Sequence, residues 1–169
     1  MTQNDKALLT RLHEHGVEFV IIGGVCSVLH GVPLVTFDLD VCCPFSPENL
    51  HRLEAAVNDL HPYHRLTPEK LPLQLSDELL ARLKNLYLQT DLGKLDCLSE
   101  VLGIGNYQAV RKSSMPHLTS HGEFHMLSLN ALIIAKEAAG RERDLAAVRF
   151  LRAIQEKLAA KTPRPKPSA

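Results

Sequence analysis

Residues 17–43 read VEFVIIGGVCSVLHGVPLVTFDLDVCC, and this stretch decides the fold. Its opening, Val17 to Ile22, is β-branched and apolar and predicts a strand. Gly23-Gly24 breaks the run, and Val25 to His30 reads as helix until Gly31 and Pro33 stop it, giving strand, glycine turn, short helix. Thr36 to Cys43 then sets Phe37, Leu39 and Val41 against Asp38 and Asp40, the period-two signature of a strand. Alternation sends both aspartates to one face and leaves Phe37, Leu39 and Val41 to pack the other.

Two carboxylates about 5 Å apart repel by roughly 3 kcal/mol at an effective dielectric of about 20, a cost that a bound cation removes. Hard oxygen donors with open positions suit Mg²⁺ or Mn²⁺. Asp96, between Leu95 and Cys97 in a later apolar segment, is the candidate third carboxylate. Gly23 and Gly24 leave backbone N–H groups free and put no Cβ in the way of a phosphate, and Ser27 adds a hydroxyl. Lys136, Arg141 and Arg143 offer cations for triphosphate oxygens, although the same charges suit a plain solvated helix face.

Outward from this stretch, Asn4 to His15 has helical spacing, and Ser46 caps a helix with Leu50, Leu53, Val57 and Leu60 on one face. Tyr63 to Leu75 is rich in proline and polar residues, and Ser76 caps a short helix. Asn85 to Thr90 and Lys94 to Leu98 predict a hairpin turning at Asp91-Leu92-Gly93; Gly103 to His121 is mixed turn and short strand. Leu129 to Ala139 and Glu142 to Ala160 predict a helical hairpin around Gly140. The order of elements favours an α/β (α+β) fold: a core over 1–125, a C-terminal helical hairpin over 126–161 packed on it, and a flexible tail over 162–169.

Nineteen basic and nineteen acidic residues cancel, so no overall positive field points to nucleic acid or a membrane surface. Cys26, Cys42, Cys43 and Cys97 lie in apolar stretches without metal-site or disulfide-scaffold spacing, which reads as small buried thiols in the cytoplasm. No apolar run approaches the roughly 18 residues of a membrane span. The histidines, His13, His15, His61, His64, His117, His121 and His125 among them, read as surface or loop residues.

Gly23-Gly24, Ser27, Gly31, Thr36-Phe37-Asp38-Leu39-Asp40 and Asp96 together resemble the nucleotidyltransferase superfamily in order and spacing. With Lys136-Glu137 and Arg141 to Asp144, the chain is similar, more narrowly, to AbiEii-like, type IV toxin-related nucleotidyltransferases. The resemblance implies a nucleotidyltransferase-type mixed sheet flanked by helices and a nucleoside triphosphate substrate, with Asp38, Asp40 and Asp96 as catalytic metal ligands and Asp96 helping to activate the attacking group. It implies nucleotide contacts from Gly23, Gly24, Ser27, Thr36 and Lys136. It leaves the acceptor open among RNA (a tRNA end in particular), a protein side chain and a small molecule, and a toxin-like member implies an antitoxin partner. One departure is Leu34, where relatives of the narrower type often carry arginine two residues before the threonine. That keeps a second reading open, a non-catalytic nucleotide- or partner-binding module of the same fold.

Overall fold

The computed structural model describes residues 1–80, 82–119 and 122–161. Helix α1 (Gln3–Glu14) starts on a capping box, in which the Thr2 hydroxyl accepts from the Asp5 amide while the Asp5 carboxylate accepts from the Thr2 amide. Its Leu8, Leu9 and Leu12 are buried. Strand β1 (Val20–Ile21) is shorter than the apolar run suggests: Val17, Phe19 and Ile22 are buried too but lie outside the paired segment. Apolar character put them in the core; pairing depends on partner strands that the local sequence does not contain.

Helix α2 (Gly23–Leu29) begins on the glycines themselves, so they form its first turn and not a separate connection. Strand β2 (Asp38–Cys42) buries Leu39, Val41 and Cys42. Phe37 departs from its expected packing: it precedes the paired residues and is 80% exposed. Ser46 caps α3 (Pro47–Val57), accepting from the Asn49 amide, and a 3₁₀ turn over Asn58–Leu60 follows. The proline-rich segment yields the short strand β3 (Tyr63–His64), which composition did not reveal, before α4 (Asp77–Leu80).

Strands β4 (Asn85–Thr90) and β5 (Gly93–Leu98) form the expected hairpin, closed by a Thr90 hydroxyl that donates to the Gly93 carbonyl. A two-stranded ribbon, β6 (Glu100–Val101) with β7 (Gly105–Asn106), leads into α5 (Tyr107–Lys112). Strands β8 (Ser114–Thr119) and β9 (Gly122–Leu127) form a second hairpin, of which β9 was not anticipated. Ser128 caps α6 (Leu129–Ala139), Gly140 ends it with a left-handed φ of 64°, and α7 (Glu142–Lys161) packs back on it. The predicted tail over 162–169, and His121, lie outside the described residues.

The seven strands order β3-β4-β5-β2-β1-β9-β8. β2 runs parallel to β5 and β1 parallel to β9, while the other pairs are antiparallel, so the sheet is mixed as expected. All four cysteines are free and buried, and burial pushes the Cys26 and Cys42 thiols up to about 12. Among the described residues no helix is long and apolar enough to cross a membrane.

Candidate functional site

The parallel pairing of β2 with β5 aligns Asp38 with Lys94 and Asp40 with Asp96. One further strand out, Tyr87 on β4 is opposite Asp96. Residues opposite each other share a sheet face, so the register of three strands brings Asp40, Asp96 and Tyr87 into one row. Asp38 occupies the same face two residues before Asp40.

The two glycines close this row from above. A Cβ on Gly23, whose φ is +63°, would fall 2.1 Å from Asp40 Oδ2, and a Cβ on Gly24 would fall 2.4 Å from Thr36 Oγ1. Only a residue without a side chain lets the start of α2 approach β2 so closely. The Gly24 amide donates to Asp40 Oδ2 at 3.4 Å. Thr36 Oγ1 donates to the Asp38 carbonyl at 3.2 Å, fixing the chain just before the aspartates. Ser27 is fully buried, and its hydroxyl donates to the Gly23 carbonyl at 3.1 Å, holding the glycine turn.

Electrostatics separates the carboxylates. Burial is the largest influence on Asp40 and pushes its carboxyl up to about 6; the Gly24 amide opposes it, and the charges of Asp96 and Asp38 add to the rise. Asp38 Oδ1 forms an ion pair with Lys94 Nζ at 3.3 Å, but the ammonium is outside hydrogen-bonding geometry. That oxygen is therefore buried with no hydrogen bond. Asp96, 6% exposed, receives Arg65: Nη2 donates to Oδ1 at 2.7 Å and to Oδ2 at 2.5 Å, and Nε to Oδ1 at 3.2 Å.

Lys136 is buried, and its Nζ donates to Asp144 Oδ1 at 2.9 Å, while Arg141 Nε donates to the other oxygen at 2.5 Å. Burial works to raise the Asp144 carboxyl, but the hydrogen bonds from Lys136 and Arg141 outweigh it and hold the group below its usual range. The Lys136 charge is also felt at Asp40, which it favours in the ionised form.

The structure thus gathers Asp38, Asp40, Asp96, Gly23, Gly24 and Thr36, sets Ser27 behind the glycines and ties Lys136 to Asp144. Among the described residues no three His, Cys, Asp or Glu side chains form a ready-made metal set. Asp38 and Asp96 each have a cation beside them. The donor chemistry still fits Mg²⁺ or Mn²⁺: Asp38 offers an oxygen with no hydrogen bond, Asp40 stands in no ion pair among the described residues, and one or two carboxylates plus substrate phosphate suffice for these ions.

Sequence reasoning missed Lys94 and Arg65, and quoted Asp144 only within the stretch Arg141 to Asp144, without a role. Lys94 is two residues before Asp96 on one strand, a period-two signal that placed it on the acidic face. Asp144 follows Lys136 across a glycine-closed hairpin. Arg65 carried no local signal.

No family model matches the chain, and no curated protein is significantly similar to it. Solved structures do share its architecture. One is the antibiotic-resistance factor ANT(2'')-Ia in solution, at 15% identity and a TM-score of 0.57 over 94% of this chain and 90% of that one. The crystal structure of ANT(2'')-Ia with adenylyl-2''-tobramycin aligns at 16% identity and a TM-score of 0.52, over 92% of each chain. A Thermotoga maritima protein assigned as a nucleotidyltransferase aligns at 15% identity and a TM-score of 0.50, over 92% of this chain and 91% of that one. At these identities the likeness is one of architecture, and the chain has the nucleotidyltransferase fold.

Proposed function

We propose that the protein is a metal-dependent nucleotidyltransferase, which moves a nucleoside monophosphate from a triphosphate to an acceptor and releases pyrophosphate. One observation carries the reading. Asp40 is aligned with Asp96 across parallel strands, under two glycines that only a missing Cβ admits, beside an Asp38 oxygen that is buried without a hydrogen bond. Mg²⁺ or Mn²⁺, held by Asp38 and Asp40, would supply Lewis-acid neutralisation of the triphosphate.

The chain's own residues do the rest. Gly23 and Gly24 bring the start of α2, with backbone amides for a phosphate, up against Asp40 and Thr36, while Ser27 holds the glycine turn and Thr36 the chain just before the aspartates. Asp96 is the third carboxylate, and its role in this reading is to help to activate the attacking hydroxyl once Arg65 no longer holds both its oxygens. Lys136 supplies a positive charge near Asp40 and stays anchored to Asp144.

The AbiEii-like reading is supported by Lys136 and Arg141 meeting on Asp144, and it favours RNA or a protein side chain as acceptor and an antitoxin as partner. A small-molecule acceptor is favoured by the likeness to ANT(2'')-Ia, which has been seen with an adenylylated antibiotic.

The test is incubation with each α-labelled triphosphate, Mg²⁺ or Mn²⁺, and in turn cellular RNA, protein extract and aminoglycosides. Label transfer should require metal and disappear in Asp38→Asn and Asp40→Asn. Absence of transfer to every acceptor, with triphosphate binding retained, would favour the binding-module reading to which Leu34 points.

A further inference from the structure

The strongest contact in the acidic row lies outside the metal pair. Arg65 immediately follows the edge strand β3, and its backbone amide donates to the Tyr87 carbonyl at 3.0 Å. From there its side chain crosses over β4, with the guanidinium 5.4 Å from the centre of the Tyr87 ring, and ends on Asp96 of β5. Backbone, ring face and carboxylate thus hold the arginine from three sides.

Its fork takes both Asp96 oxygens. Charge-assisted, forked pairs of this kind are among the stronger and more directional contacts a carboxylate makes. The next carboxylate along the row, Asp40, takes part in no ion pair among the described residues, so the cation that reaches the row from the β3 side spends its side-chain hydrogen bonds on Asp96 while its charge is felt more weakly at Asp38 and Asp40.

We propose that Arg65 is a built-in counterion that competes with a divalent cation for Asp96, so that the third carboxylate joins the metal site only when the arginine gives it up. This rests on the metal-site reading given above. A metal ligand must offer a lone pair, and both Asp96 oxygens already accept hydrogen bonds from the guanidinium. An ion at Asp38 and Asp40 gains a third carboxylate only by displacing Arg65, and the free energy of the arginine contact is subtracted from metal affinity. The arginine keeps a buried carboxylate neutralised while no metal is present, and so stabilises the fold at the expense of metal binding.

The experiment is a calorimetric Mn²⁺ titration of the intact protein without nucleotide, on wild type, Arg65→Gln, Arg65→Lys, Asp96→Asn, Arg65→Gln/Asp96→Asn and Asp40→Asn. Arg65→Gln should bind Mn²⁺ at least about tenfold more tightly than wild type, because a neutral amide cannot hold the carboxylate as the guanidinium does. Arg65→Lys keeps the charge but loses the fork, and should shift affinity in the same direction by less; it decides the matter if the glutamine variant does not fold. Asp96→Asn should change wild-type affinity little yet abolish the gain in the double variant, the non-additivity that marks two residues acting on one contact. The rise in melting temperature on adding Mn²⁺ should likewise be larger for Arg65→Gln than for wild type. Equal or weaker Mn²⁺ binding in both Arg65 variants, with binding lost in Asp40→Asn, overturns the arginine's role alone. Wild-type binding that Asp40→Asn leaves untouched overturns the metal-site reading and this inference with it.

Discussion

Replacing Asp40 with asparagine should stabilise the metal-free protein, and by an amount that depends on pH. The Asp40 carboxyl is raised from an ordinary 3.8 to about 6. Below about pH 4 the group is protonated in folded and unfolded chains alike, and it costs nothing. Between 3.8 and about 6 the unfolded chain ionises first, so folding stability falls as pH rises; above about 6 the loss is complete and constant. The difference corresponds to about 3 kcal/mol, at 1.36 kcal/mol for each pH unit. The substituted asparagine carries no charge, and its side-chain oxygen can still accept from the Gly24 amide. Urea unfolding in EDTA should therefore show Asp40→Asn more stable than wild type by about 3 kcal/mol at pH 8. Most of that gap should be gone at pH 4. Asp144, whose carboxyl is held low, loses stabilising interactions as pH falls, but it does so in both proteins and cancels from the difference. Mg²⁺ should raise wild-type stability at pH 8 and leave the variant unmoved. A variant no more stable than wild type at pH 8, or equally stabilised at both pH values, refutes the reasoning.

Gly23→Ala must accept a left-handed φ and a Cβ against Asp40 Oδ2. It should lose at least about 1–2 kcal/mol in urea unfolding and lose the Mg²⁺-induced rise in melting temperature together. Asp144→Asn strands the buried Lys136 ammonium and should cost about 3–5 kcal/mol by the same measurement. Lys94→Met, which breaks a partly exposed pair with Asp38, should cost under about 1 kcal/mol.

What the sequence made legible was local. Asp38 and Asp40 declare a strand because every second residue between Phe37 and Val41 is apolar, and the β4–β5 hairpin is bounded by its own turn. Asn85 to Thr90 matched to the residue; the partner strand begins one residue earlier than expected, at Gly93. Ser46, Ser128 and Gly140 mark helix ends because a cap is a contact between residues three or four apart. Phe37 misled because alternation tells which way a side chain points and not whether anything lies there to cover it. Strand β9 is the instructive omission. Glu123 and His125 alternate with the buried Phe124 and Met126, so a period-two signal was present between His121 and Ser128, a segment without an assigned element. The pairing of Arg65 with Asp96 was beyond any such reading, since 31 residues separate the two and only the register of β3, β4 and β5 joins them.

The acidic row also explains why one carboxylate stands apart from the others. Asp38 has Lys94, Asp96 has Arg65, and Asp144 has both Lys136 and Arg141. Asp40 has no ion pair among the described residues, only an amide at 3.4 Å and the more distant charges of Lys136 and Arg65. A sequence selected for stability alone would place an apolar or neutral residue at such a half-buried position, because a lone carboxylate there weakens the fold throughout the neutral range. The glycines above it sharpen the point. At Gly23 a side chain would collide with Asp40, and its absence lets the start of α2 and its free backbone amides come up against the carboxylate. A carboxylate with no ion pair among the described residues and a closely apposed helix start with backbone amides thus coincide at one residue, and a cation carrying a polyphosphate suits both at once.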